Sequence, residues 1–254
     1  MAKHNCAICG AEVSLLSEQK LADGNYICRK VCSKKTFKIF DKVAATLGDV
    51  TAHIEQIEKG TRIWNEVLLP LKSSKNKEEK LKAMGVGGPL LYASPSTGLV
   101  ALVETRYKFF IFGKSELACV YRIADLMQYD YEEEKIKNSE GKEEVKKFCV
   151  MSFRNTAGLY TFRLAVATTK EYESIAKYFD TLFGIQKTLG NAMNNAKRQF
   201  DAFKAAAAIV QGAKDGNLDE AGAAAAVDTL DAAVYGDRTE LIAKADVVLA
   251  KYNP

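Results

Sequence analysis

Apolar positions along this chain change their spacing several times, and each change marks a different kind of element. From Thr36 onward, Phe37, Phe40, Val43, Leu47, Val50, Ile54 and Ile57 recur at three and four residues, which places them on one helical face. Gly48-Asp49 interrupts this run in the manner of a C-cap followed by a new N-cap, so one long helix and two shorter ones fit equally. Gly60-Thr61 offers another stop and start, and Ile63, Trp64, Val67, Leu68 and Leu71 form a further stripe. Such a stripe is expected to pack on the rest of the chain before it serves a partner. The run from Lys72 to Lys82 is polar and mostly basic, and it reads as a solvated linker or a short exposed helix.

Between about residues 89 and 168 the pattern is that of strands. Leu90 to Ala93, Leu99 to Val103, Tyr107 to Phe112, Leu117 to Ile123, Met127 to Tyr131, Lys147 to Phe153 and Leu159 to Val166 are rich in β-branched and aromatic residues. Turn residues separate them at Ser96-Thr97-Gly98, Gly113-Lys114-Ser115, Asn138 to Gly141 and Asn155 to Gly158. About seven short antiparallel strands predict a small barrel or sandwich. An amphipathic helix follows, with Tyr172, Ile175, Ala176, Phe179, Leu182 and Phe183 on one side. Cys119 and Cys149 lie among apolar neighbours and are expected as buried thiols.

The last third returns to helical spacing. Ile185, Leu189, Ala192, Ala196, Phe200, Phe203, Ala207 and Val210 trace a narrow seam, of the kind satisfied within a chain or across a dimer. Two shorter helices are predicted over about 218–235 and 238–252. The fragment Asp215-Gly-Asn-Leu-Asp219 has the first ligand positions of an EF-hand loop, but Glu220 and Ala226 stand where that loop needs Gly and Glu. A turn capped by Asn217 or Asp219 is the better account.

The cysteines add the chemistry. Four of six stand in the first 32 residues, as Cys6-Ala-Ile-Cys9 and Cys28-Arg-Lys-Val-Cys32. Cysteine pairs two or three residues apart deliver two sulfurs to one side of a turn, and two such pairs make a tetrahedral Zn²⁺ site. The second pair carries one more intervening residue than the ribbon pattern usually has. Paired disulfides would require an oxidising compartment, and the N-terminal residues carry no apolar signal-peptide core, so a reduced, cytoplasmic setting is expected. A redox Cys-x-x-Cys would need a βαβ context that is missing around Cys6. Four thiolates leave no open coordination position, so the expected Zn²⁺ is structural, with His4 a nearby substitute ligand. Val13, Leu15, Leu16, Leu21 and Tyr26 are expected to line this unit, and Asp23-Gly24-Asn25 to turn between two strands.

Charge narrows the partners. The formal net charge of +4 is carried by the N-terminal third, where fifteen Lys/Arg face ten Asp/Glu over residues 1–82. Lys3, Arg29, Lys30, Lys34 and Lys35 either offset a cluster of formal charge −2 or form a nucleic-acid footprint. Arg106, Lys108 and Lys114 are the candidates for a lipid headgroup site, but they are dispersed along a hairpin and a solvated strand face explains them about as well; no apolar run is long enough for a membrane span. The catalytic inventory is thin: only His4 and His53 exist, and Met84-Gly-Val-Gly-Gly-Pro lacks the Lys-Ser/Thr of a phosphate loop. The acidic runs at 132–134 and 143–144 read as a solvated hairpin tip.

Cys6, Cys9, Gly10, Lys20-Leu21, Asp23-Gly24, Ile27-Cys28 and Cys32, followed by the strand pattern and its closing helix, resemble the bacterial and phage proteins with a DUF4428-type zinc ribbon ahead of a pleckstrin-homology (PH)-like domain. The run from Val120 to Glu133 is similar to the strand–turn–strand passage of those barrels. The resemblance covers roughly residues 5–183 and, together with the helical spacing beyond them, implies an α+β chain. Its parts are a zinc ribbon at 1–35, a helical connector at 36–84, a PH-like seven-stranded barrel with its helix at 85–184, and a helical hairpin or small bundle at 185–254. It implies fold more than activity. The function expected is a non-enzymatic interaction or scaffold protein that binds protein partners and self-associates through its C-terminal helices. The alternatives are nucleic-acid binding by the basic ribbon and recruitment to a membrane surface by the barrel, the last being the weakest.

Overall fold

The computed structural model describes residues 3–107, 113–137, 141–184 and 236–252. It is a mixed α/β structure of small antiparallel sheets and few helices. The first sheets are two-stranded: β1 (His4–Asn5) with β2 (Glu12–Val13), and β3 (Glu18–Lys20) with β4 (Tyr26–Cys28). Gly24 turns between β3 and β4 at φ +83°, a conformation that costs glycine little.

Residues 36–46 lie outside any helix, although their apolar spacing is helical. The reason is competition for backbone donors. The Phe37 N–H goes to the His53 ring, the Lys38 N–H to Glu104, and those of Val43 and Ala44 to the Asp41 carboxylate. A donor claimed by a side chain cannot build an i→i−4 ladder. The helix α1 (Leu47–Ile63) begins instead at a capping box: the Asp49 N–H donates to Thr46 Oγ1, and the Thr46 N–H to the Asp49 carboxylate. It runs through Gly60 and continues by a π turn (Trp64–Leu68) into α2 (Leu69–Leu71). Gly60 serves close approach rather than termination, since a Cβ there would lie 2.4 Å from the carbonyl oxygen of Ala118.

The strand region forms two sheets. β5 (Lys82–Met84), β6 (Leu90–Ser94), β7 (Leu99–Tyr107) and β8 (Lys114–Arg122) pair in that order, and β9 (Leu126–Lys137), β10 (Glu143–Phe153) and β11 (Thr161–Val166) form a three-stranded meander. A 3₁₀ turn at Ile123–Asp125 links the sheets at one corner, and the Val86 N–H donates to Ala165 O across the other at 2.9 Å. Among the described residues no continuous ladder closes them into a barrel. β9 and β10 extend beyond the hydrophobic runs into a paired arm, so the acidic residues at 132–134 and 143–144 belong to strands; Arg163 meets Glu132 and Glu134 at 2.9 and 2.7 Å.

β7 shows how the core is divided. Its residues from Leu99 to Glu104 are all buried, and alternation sends them to two interiors. Val100 and Leu102 join the core shared by both sheets, which runs on through Phe37 and Ile27 to the cysteine cluster. Leu99, Ala101 and Val103 face a second core with Ile63, Trp64 and Leu68. The connector stripe is therefore buried within the chain. After β11, α3 (Thr169–Leu182) buries Ile175, Ala176 and Phe179, and α4 (Thr239–Leu249) packs Leu241 and Ala245 against Gly98. Arg238 anchors that last helix by donating to the Ala124 and Leu126 carbonyls at 2.6 and 2.7 Å. The expected seam from Ile185 to Val210, the helix at 218–235 and the Asp215–Asp219 fragment lie outside the described residues.

Candidate metal centre

Each cysteine pair arrives on its own turn. Gly10 N–H donates to Cys6 O and Cys6 N–H to Ala11 O, both at 2.8 Å, closing the first loop over Cys9. Gly10 leaves it at φ +73°. Cys28 ends β4, and Cys32 opens a 3₁₀ turn (Cys32–Lys35). Together the four Sγ atoms lie within 4.8 Å of one another. Cys6 and Cys32 are 3.7 Å apart and Cys9 and Cys28 3.8 Å, far beyond a disulfide bond.

These separations test the fit of a metal. With zinc–sulfur bonds of about 2.3 Å, the edge of a tetrahedron is roughly 3.8 Å, which both measured edges match. The backbone supports thiolate character: the Cys28 N–H points to Cys6 Sγ at 3.2 Å and the Cys32 N–H to Cys28 Sγ at 3.3 Å. Burial pushes the Cys6 thiol up, yet the surrounding N–H donors bring it down to about 6. Burial and the neighbouring sulfurs push Cys32 up. Sulfurs packed this closely repel one another when ionised, and a divalent cation removes that conflict. Cys6, Cys28 and Cys32 are buried while Cys9 is exposed, so the four can hold a metal ion at the edge of the core.

Residues 4–56 match the family model described as Domain of unknown function (DUF4428). No curated protein and no solved structure matches the chain. The matched segment contains the whole sulfur cluster and continues past it to Gln56. That continuation is physically connected to the rest of the fold. His53 accepts the Phe37 N–H at Nε2 (3.2 Å), so its proton sits on Nδ1 and is donated to Gln56 Oε1 at 3.1 Å. Gln56 in turn brackets Leu159, accepting its N–H at 2.9 Å and donating to its carbonyl at 3.2 Å. The Tyr121 hydroxyl reaches the same carbonyl at 2.7 Å.

Other expected residues have definite places. His4 is not part of the sulfur cluster; its Nδ1 meets the buried Glu18 at 2.8 Å and its ring stacks on Tyr26. Val13 and Leu21 are buried as expected, but Leu15 and Leu16 are exposed. Arg106 is consumed within the chain: it donates to Lys34 O, to Thr36 O at 2.6 Å and to Glu104 at 2.5 Å. Lys114 pairs with Glu116, which also accepts the Trp64 indole N–H, and Lys108 lies outside the described residues. Burial drives the Cys119 and Cys149 thiols upward, the latter to about 12. Glu104 and Arg106, like His53 and Gln56, are neighbours in sequence, but the groups they hold are not: Gln56 reaches Leu159, and the Glu104–Arg106 pair reaches Lys34, Thr36 and Lys38, so neither network has a signature in the sequence.

A cleft of about 410 Å³ opens between α1, β8 and the loop at Arg154 to Ala157. Glu55, Lys59, Arg122, Asp125 and Arg154 supply its charge, and burial raises the Asp125 carboxyl. Among the described residues that line it there is no serine, cysteine or histidine.

Proposed function

We propose that this chain is a non-enzymatic interaction protein whose Cys6, Cys9, Cys28 and Cys32 hold a structural Zn²⁺ and whose strand region is a PH-like unit that binds protein partners. The observation that carries the metal reading is the convergence of four sulfurs within 4.8 Å at edges that suit a filled tetrahedron. A site with four thiolate ligands keeps no position for water or substrate. The ion then supplies folding energy to a unit too small to have a sufficient core of its own.

The PH-like reading is supported by four strands, then three, then one amphipathic helix, in that order along the chain. Its outer strand β9 has no neighbour on one side among the described residues, and an open edge accepts an extended peptide through main-chain hydrogen bonds. Metal analysis of the purified chain should return about one zinc per chain, falling to none when Cys28 and Cys32 are both replaced by Ser. For the partner, Glu132→Pro and Glu133→Pro are compared in affinity capture from the native host. Alternation along the strand directs only one of these two N–H groups outward, and that proline alone should abolish capture while the fold is retained. Capture unaltered by either proline would remove the edge from consideration.

A further inference from the structure

Two leucines that the residue pattern assigns to the interior of the ribbon stand outside it: Leu15 is 68% exposed and Leu16 87%. They occupy a turn held by its own bonds, with the Ser17 N–H on Ser14 O at 2.7 Å and the Ser14 N–H on Ser17 Oγ at 2.9 Å. A single exposed leucine is ordinary. Two adjacent ones on an ordered turn keep apolar surface in water that a disordered loop could fold away.

That turn is joined to the second cysteine loop, where the Arg29 N–H donates to Ser17 O at 2.8 Å. All three residues between Cys28 and Cys32 are exposed, Val31 at 55%. Lys3 is paired with Glu12 and Lys35 with Glu58. Among the described residues no carboxylate pairs with Arg29 or Lys30. The lengthened loop thus sets one more apolar side chain and two cations without a carboxylate partner beside the leucines.

We propose that this tip, formed by Leu15, Leu16 and Val31 with Arg29 and Lys30, docks the protein on an anionic phospholipid surface. Aliphatic side chains on a protruding turn enter the boundary between headgroups and acyl chains, while the flanking cations meet lipid phosphates. A single-stranded nucleic acid would call for rings on which bases stack, and the tip offers leucines. The surface lies on the ribbon and does not use the strand cations Arg106 and Lys114, which the fold has already engaged. The proposal rests on the metal reading insofar as the tip needs a folded ribbon.

The test is co-sedimentation of the zinc-loaded full chain with phosphatidylcholine vesicles, with and without phosphatidylglycerol. Two double variants accompany it, Leu15→Ser with Leu16→Ser, and Arg29→Ala with Lys30→Ala. All four positions are exposed, so the variants should fold, and zinc content is measured on the same samples. The chain should sediment with the anionic vesicles only, and less so at high salt. Loss of the cation pair should weaken binding about thirtyfold, and loss of the leucines about tenfold or more. A zinc-loaded chain that stays in the supernatant with anionic vesicles overturns the docking, as does binding by both double variants as tight as that of the parent chain. Retention on DNA that needs Arg29 and Lys30, without vesicle binding, also overturns it and reassigns the cations. A chain that sediments with anionic vesicles but carries no zinc overturns the metal reading and leaves the docking standing.

Discussion

Replacing His53 by glutamine should remove an acid sensitivity that the fold builds into its centre. The imidazole is fully buried, stacked on Phe40 with ring centroids 4.3 Å apart, with Phe37 at its edge. Burial holds its pKa down to about 4; Lys42 adds to the effect, while Gln56 and Glu104 oppose it. In the unfolded chain the group titrates near 6.5. Between these values the unfolded state binds a proton that the folded state refuses, so stability is complete above about pH 7 and falls as pH drops. The loss from this one residue is about 2 kcal/mol near pH 5 and approaches roughly 3 kcal/mol below pH 4. The amide introduced by His53→Gln would retain an acceptor for the Phe37 N–H but would not titrate. The assay is urea unfolding followed by the fluorescence of Trp64, the single tryptophan, at about pH 7, 6 and 5. The variant should lose about 1–2 kcal/mol at neutral pH through its poorer hydrogen bonds and lost stacking. Its further loss on going to about pH 5 should be smaller than that of the parent by about 2 kcal/mol. Acid release of a metal held by the four cysteines would affect both proteins alike and cancel in the comparison. Equal pH slopes in the two proteins would refute the assignment of His53 as a neutral, structural histidine.

Two glycines of α1 should respond to alanine with opposite signs in a thermal melt. Gly48→Ala meets only Thr46 Oγ1 at 3.7 Å and should stabilise by about 0.5–1 kcal/mol through helix propensity. Gly60→Ala would press a methyl on the backbone of β8 and should cost a net 1–3 kcal/mol or so. Arg106→Ala should destabilise by about 2 kcal/mol or more, because it leaves the buried Glu104 carboxylate without its cation; adding Glu104→Gln should recover part of that loss in the same denaturation assay. Chelation of the metal should abolish amide-exchange protection over residues 4–35 and preserve it in β7 and β10, whose ladders do not depend on the sulfur cluster.

The cysteine cluster and the strands are legible in the sequence because their determinants are local. Two Cys pairs on short turns carry their geometry in their spacing, and the runs at Leu90, Leu99 and Leu117 carry a strand preference whatever lies opposite them. The arm of β9 and β10 is less so: beyond Tyr131 its residues are mostly charged, and cross-strand pairing keeps them extended. β5 begins in a stretch with the composition of a linker, since three residues have too little pattern to announce an edge strand, and β6 supplies the ladder that defines it. Residues 36–46 mislead for a related reason. Their apolar spacing is helical, but the acceptors that claim their N–H groups include His53 and Glu104, remote in sequence.

By itself, then, the sequence determined which residues can ligate a metal, where strands and helices are favoured, and that a helix-spaced stripe must be buried somewhere. Tertiary structure decided where. It sent Trp64 and Leu68 into a second core beneath β7, turned Gly60 from a helix stop into a contact, spent Arg106 on backbone carbonyls, and left Leu15 and Leu16 in water beside Arg29 and Lys30. Periodicity records a preference for burial, whereas burial itself needs a partner surface, and partners are brought together only when the chain closes on itself.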